Sequence, residues 1–192
     1  MSPVNIRQQT MYFVTGDPET ENNAALEYPG QLGSRCTIVE PLRGAPTTAG
    51  AYRAKTYQLV QTDSGMVGAG GVSPFSGAVA WWSNKTNYLV TTYAPQLGVG
   101  RVAGVFRTAV TPGNYCFIQT QGPCVNVYIQ PSPTAQPSAA GLIVVPAVST
   151  AGAANVLAAG TAATYPPLGV TSSGMIGGTS QCEVDLDIPE TP

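Results

Sequence analysis

The sequence predicts an all-β fold, a β-barrel or β-sandwich module with an extended N-terminal arm. Val, Thr, Tyr and Ile recur in short runs between Gly and Pro, a pattern typical of strands joined by turns. Gly 22 and Pro 17 stay below the level of a low-complexity chain, and 43% of the residues are apolar. We therefore expect one packed domain of residues 51–192, preceded by an arm of residues 1–50.

The arm combines apolar anchors with polar, turn-rich sequence. Met11, Tyr12 and Phe13 are the anchors, whereas Gly16 to Asn23 is rich in polar residues. One short strand is expected at Cys36–Val39. An extended segment that lies on neighbouring subunits fits this pattern, and a poorly ordered terminus is the alternative.

The first strand of the domain is predicted at Lys55–Thr62, with Tyr57 and Leu59 on one face and Val60 on the other. A hairpin follows, in which Ala78–Trp82 pairs with the strand that begins at Asn87.

A further strand is predicted at Arg101–Phe106, where Gly104 indicates a bend or a close backbone approach. Tyr115–Gln119 and Cys124–Ile129 then predict a second hairpin, because the proline of the intervening loop has no N–H for a ladder. In that register Cys116 and Cys124 lie on opposite faces.

Near the C-terminus, Leu142–Val148 is predicted to be a strand. Ala151–Ala163 is rich in Ala, but Gly152 and Gly160 favour a loop over a helix. Cys182–Ile188 alternates between apolar and acidic residues with the period of a half-buried strand.

Charge is scarce and unevenly placed. Only 9% of the residues are charged, and none of the 75 consecutive residues from Thr108 to Cys182 is charged. Charged surfaces normally keep freely diffusing proteins apart. A chain that lacks them is expected to pack against other subunits, so we predict a homo-oligomer.

The same composition argues against several partners. A net charge of −2 provides no basic field for nucleic acid or an anionic membrane. The most apolar stretch, Ala139–Gly160, is interrupted by Pro, Gly and polar residues, so no membrane span is expected. The N-terminal residues lack the apolar core of a signal peptide.

Catalytic and metal chemistry is also disfavoured. The chain has no His, so no nucleophile can be activated by imidazole, and the four cysteines lack zinc-site spacing. Glu183, Asp185 and Asp187 form the main carboxylate cluster, which we interpret as a solvated strand face rather than a cation site. We predict no enzymatic activity, no cofactor and no metal, and we expect buried free thiols.

Adjacent Trp81 and Trp82 must point to opposite faces of a strand, so one is expected in the core and the other on a second surface. A subunit contact is the favoured use of that surface, and carbohydrate stacking is the alternative. The aromatic and apolar residues that we predict at interfaces are Met11, Tyr12, Phe13, Trp81, Trp82, Tyr115, Phe117 and Tyr128.

The segment from Val102 to Gly122, VAGVFRTAVTPGNYCFIQTQG, resembles virion structural proteins of tailed bacteriophages, cyanophages among them. Tyr57–Gln61, Val79–Trp82 and Tyr88–Thr91 look similar to the same group. Leu168–Val170, followed by Gly-Gly-Thr and a closing apolar strand, resembles the end of small capsid cement proteins.

This resemblance implies a β-rich module on the outer capsid surface, assembled in the host cytoplasm and often trimeric, whose partner is the major capsid protein. The expected function is capsid decoration, in which the module bridges capsomers and stabilises the shell. A head fibre or adhesin that binds the host surface is the alternative, and a major capsid protein is a third, for which 192 residues is short.

Overall fold

In this computed structural model the regular elements of the described residues are all β-strands, which confirms the predicted all-β class. Within the described part of the chain no helix is long and apolar enough to cross a membrane. The structure describes residues 18–20, 22–25, 32–41, 52–66, 75–93, 101–130, 139–175 and 180–189.

The described strands join into one hydrogen-bonded sheet. Neighbouring strands pair antiparallel, except that the third strand pairs parallel with the fifth. In chain order they are β1 (Asn22–Asn23), β2 (Arg35–Pro41), β3 (Tyr52–Thr62), β4 (Val79–Asn84), β5 (Leu89–Thr91), β6 (Val102–Phe106), β7 (Tyr115–Tyr128), β8 (Ile143–Pro146), β9 (Ala154–Val156), β10 (Gly169–Met175) and β11 (Gln181–Asp187).

Five strands of this sheet close into a first ring. β3 pairs with β5, β5 with β4, β4 with β6 and β6 with β7, and β7 returns to β3. Since side chains alternate along a strand, Val60, Phe106 and Ile118 share one core inside this ring. Closure pairs both edges of each strand in the ring, which removes exposed ladder edges there.

A second ring is built from β7, β11, β10, β8 and β9. It closes where Ile129 forms a bridge to Ala154, and the Gln130 N–H donates to the Ala154 carbonyl at 2.8 Å. The core of this ring also receives Val79 and Val105, a cross-strand pair that points out of the first ring. The two rings therefore pack through shared side chains as well as through β7.

The long strand β7 corrects the hairpin that was predicted between Tyr115 and Ile129. Instead of reversing, the chain continues through Gly122 and Pro123, pairing first with β3 and then with β11. Gly122 has a φ of 84°, and a Cβ at this position would overlap the carbonyl oxygen of Ala54. The Gly-Pro pair thus marks a bend within one strand, because only glycine fits this backbone and this close approach.

Gln119 holds the bend from inside. Its side chain is fully buried, and its Nε2 lies 3.1, 3.2 and 3.0 Å from the carbonyl oxygens of Gln121, Gly122 and Pro123, to which it donates. All three residues also pair with β11, so the amide adds a buried donor to the ladder at the bend. Its two hydrogens are shared among the carbonyls of three successive residues.

Several other predicted elements are confirmed. β4 and β5 form the expected hairpin, and β11 buries Cys182, Val184 and Leu186 on one face. Gly104 lies against the Gln119 carbonyl, where a Cβ would approach to 2.8 Å. β8 falls within the strand predicted at Leu142–Val148. The loop predicted at Ala151–Ala163 is wrong in part, because β9 lies within it, and β10 was not predicted.

Most of the proposed arm lies outside the described residues, so an arm of residues 1–50 stays a prediction. Within that range, β2 contains the predicted strand at Cys36–Val39 and pairs with β3 over its whole length. β1 adds a two-residue pairing to the start of β7, and Asn22 accepts hydrogen bonds from the Thr111 N–H at 3.2 Å and the Asn114 side chain at 2.9 Å.

Replacing Gly122 by Ala tests whether the bend in β7 organises both rings. We expect G122A to lower the free energy of unfolding by about 3 kcal/mol or more, because strain at positive φ adds to overlap with Ala54. Gly141 is a matched control, since its φ is 83° and no atom lies within 4 Å of its Cβ position. G141A should cost only about 1 kcal/mol. Equal losses in urea unfolding of the two variants would contradict the close-packed bend.

Candidate functional site

The predicted interface residues divide into three groups. Met11, Tyr12 and Phe13 lie outside the described residues, and their role stays a prediction. Trp81 and Phe117 are only 2% and 1% exposed, so they are corrected from interface to core positions. Both side chains are covered within the chain, which leaves them unavailable to a partner.

Trp82, Tyr115 and Tyr128 are half-buried and remain accessible in part. Trp82 packs against the core of the first ring. Its side chain contacts Tyr88 edge to face, with ring centroids 6.2 Å apart. Tyr128 contacts Phe75 in the same way at 4.8 Å. The contrast between buried Trp81 and half-buried Trp82 agrees with the expectation of opposite faces.

The acidic strand β11 places its carboxylates as alternation predicts. Glu183 is half-buried and lies 3.4 Å from the Arg53 guanidinium, whereas Asp185 and Asp187 are exposed. Among the described residues no three His, Cys, Asp or Glu side chains are grouped to hold a metal ion.

The structure also assembles a cluster of charged and polar groups that the sequence did not reveal. One carboxylate oxygen of Glu19 accepts hydrogen bonds from the Tyr57 hydroxyl at 2.8 Å and from Lys55 Nζ at 3.0 Å. Arg107 Nη2 lies 3.7 Å from the same oxygen. We call Glu19, Lys55, Tyr57 and Arg107 the Glu19 clamp.

Arg107 connects this clamp to the shared strand. Its Nη1 donates to the Val125 carbonyl at 2.7 Å and contacts the Cys124 sulfur at 3.3 Å. Its side chain is only 7% exposed. A guanidinium buried to this degree needs acceptors and a counter-charge, and Glu19 and the carbonyl of β7 provide them.

Electrostatics favour the charged form of Glu19. Its partial burial alone would raise the pKa, but hydrogen bonds from Tyr57 and Lys55, with the charges of Lys55 and Arg107, lower it. Burial raises the pKa of the Cys124 thiol to about 11, although Arg107 acts in the opposite direction. The clamp therefore consists of a carboxylate held by two cations and a phenol beside a neutral thiol.

The sequence held one usable signal for this cluster. Lys55 shares a strand face with Tyr57 by alternation, so a cation beside a core tyrosine requires an acid nearby. Nothing in the spacing identifies Glu19 or Arg107 as its partners, because they lie 36 residues before and 52 residues after it. Their meeting depends on ring closure.

All four cysteines are buried and unpaired with one another. Burial raises the pKa of Cys36 to about 11 and also raises the pKa of Cys116 and Cys182. A thiol that stays protonated and covered is a poor nucleophile. These residues act as small core side chains, as the sequence predicts.

An exposed apolar pair lies on the outer face of the second ring. Ile143 of β8 is directly opposite Val170 of β10, and they are 40% and 43% exposed. Val170 is in turn opposite Asp185 of β11. These three side chains form one row across three strands, which we call the outer row.

The second ring also has an exposed segment without charge. Residues 158–164, between β9 and β10, are exposed at every position and consist of Ala, Gly and Thr. They belong to the long segment without a charged side chain. The low charge of this part of the chain is therefore a property of its accessible surface as well as of its core.

Comparison with known proteins gives no relative: no protein-family model, no curated protein and no solved structure matches this chain.

Replacing Glu19 by Gln tests the clamp. We expect E19Q to lower the free energy of unfolding by about 1–2 kcal/mol, since buried Arg107 loses a counter-charge while partial exposure of Glu19 limits the cost. The contribution is complete above pH 4.5, the ordinary pKa of a glutamate, and fades as pH falls through the lowered folded-state value. Thermal unfolding from pH 7 to pH 3 should show the gap between wild type and E19Q closing.

Glu183 provides the control for this experiment. Its partner Arg53 is half exposed, so E183Q should cost less than about 0.5 kcal/mol at neutral pH. If E19Q and E183Q were equally stable at pH 7, the clamp would add nothing beyond a surface ion pair.

Thiol reactivity provides a separate measurement. At pH 7 we expect the four cysteines to resist a maleimide reagent in the folded protein and to react together after unfolding in guanidinium chloride. Mass spectrometry counts the labels. Rapid labelling of any cysteine in the native protein would contradict the burial described above.

Proposed function

We propose that the protein is a capsid decoration (cement) protein that binds the outer surface of a phage head and bridges capsomers. The observation that carries this proposal is that an uncharged part of the chain forms exposed surface, with Ile143 and Val170 side by side upon it. Such a surface favours permanent contact with other subunits. The resemblance of Val102–Gly122 to phage virion proteins supports the choice of a capsid.

The proposed mechanism is mechanical. A DNA-filled shell pushes outward, and separating bridged capsomers exposes apolar surface that the decoration protein had covered. Each 1,000 Å² of apolar surface is worth about 25 kcal/mol before the costs of association. The free energy that remains after these costs is gained at every copy of the contact in the closed, symmetric shell.

The fold suits this role because its two rings share a strand and packed side chains, which resists relative movement of the two halves. We propose the major capsid protein as partner and a homo-oligomer, with a trimer favoured, as the bound form. The proposed location is the outer capsid surface, reached after assembly in the host cytoplasm, without cofactor or enzymatic activity.

A head fibre or adhesin is the second candidate. Tyr93, at the end of the β4–β5 hairpin, is 49% exposed, and Trp82 and Tyr88 lie half-buried on the same hairpin. Aromatic side chains at a hairpin are suited to stacking on sugars. Binding of the isolated protein to a glycan array, abolished by Y93A, would favour this candidate.

The number of copies per particle separates the two functions. We expect hundreds of copies of the chain in purified phage particles, because a cement protein repeats with the capsid lattice. Quantitative mass spectrometry against the major capsid protein measures this ratio. A dozen copies or fewer would indicate a fibre, portal or tail component and would overturn the cement proposal.

A further inference from the structure

We infer that the outer row is the surface that docks on the partner, and that the partner presents an apolar strip flanked by Lys or Arg. This inference deepens the proposed function and rests on it for the identity of the partner.

The two apolar residues of the outer row form a patch that favours contact with a partner. Ile143 and Val170 are directly opposed residues of an antiparallel pair, so their side chains lie next to each other on the same face. Both remain at least 40% exposed while their strand neighbours Val144 and Thr171 are buried. Two adjacent β-branched side chains on an outward face form a continuous patch rather than scattered exposure.

The carboxylates at the β11 side of the row determine which charge the partner must carry. Asp185 is opposite Val170, and Asp187 follows it two residues later on the same face. Neither aspartate forms an ion pair with any described residue, whereas Glu183 on the same strand is paired with Arg53. The apolar patch is thus bordered on the β11 side by two exposed carboxylates that have no cationic partner among the described residues.

The carboxylates that border the patch favour a partner with positive charge. An acidic or neutral partner would bury carboxylates without compensation, at a cost that a Lys or Arg opposite them removes. Ile143 and Val170 themselves belong to residues 108–182, which carry no charged side chain and place no such demand. The fitting occupant is a protein surface with small or apolar residues over Ile143 and Val170 and a cation over Asp185 and Asp187.

The chemistry of the row is tested first on the isolated protein with defined peptides. An alternating Val-Lys hexapeptide should shift the NMR signals of Ile143, Val170 and Asp185, whereas a Val-Glu hexapeptide should leave them unchanged. The double variants I143T/V170T and D185N/D187N should each abolish the shifts. Equal effects from both peptides, or none from either, would overturn the inference.

The second test uses phage heads assembled without this protein. We expect I143T/V170T to weaken binding to these heads about tenfold, because a methyl group of Val170 and the ethyl group of Ile143 are replaced by hydroxyls that must be buried. Threonine keeps the β-branched shape, so folding should be unaffected. V148T is the matched control, since Val148 is 49% exposed but lies beyond the other end of β8; its binding should equal that of wild type.

The outcomes separate this inference from the proposed function. Wild-type binding that I143T/V170T leaves unchanged overturns the inference and leaves the cement proposal standing. No wild-type binding to heads overturns the cement proposal, and the peptide experiment then decides the inference alone. Loss of self-association in I143T/V170T, measured by analytical ultracentrifugation with head binding intact, would show that a second copy occupies the row and would also overturn it.

Discussion

The bend of β7 at Gly122 is the constraint on which both rings depend. On one side of it the strand completes a ring with β3, and on the other side it begins a ring with β11. The backbone of β3 passes so close at this point that no side chain fits, and the buried amide of Gln119 donates to the carbonyls of three successive residues at the bend. Neither core can form fully without this strand, so the two halves are expected to fold as one cooperative unit.

Charge is distributed according to the same architecture. The chain places a buried ionic cluster at the junction, where Arg107 connects Glu19 with the carbonyl of Val125. The second ring, in contrast, carries charge only on β11, and its remaining outward surface is neutral. A concentrated clamp fixes geometry where the rings meet, while a neutral surface lowers the cost of desolvation where another protein is proposed to bind.

Local patterns in the sequence were sufficient for elements whose alternation is strong. The strand ending in Ile188, the hairpin around residues 83–86 and the close approach at Gly104 follow from period-two burial and turn residues. The hairpin expected across Gly122 was wrong, because glycine and proline signal a turn and a strand bend equally well. The Glu19 clamp joins residues 36 and 52 positions from Lys55, and such long-range meetings depend on closure that no local pattern encodes.

The position of Glu19 also has a mechanical consequence. Two residues of β1 pair with the start of β7, a short connection on which tension at the N-terminus would act. Glu19 precedes this pairing and is anchored to Lys55 and Tyr57 of β3 and to Arg107 beyond β6. A pull from the N-terminal side therefore acts on the anchored Glu19 carboxylate before it reaches β1. The force then passes to the first ring through β3 and Arg107 instead of separating β1 from β7.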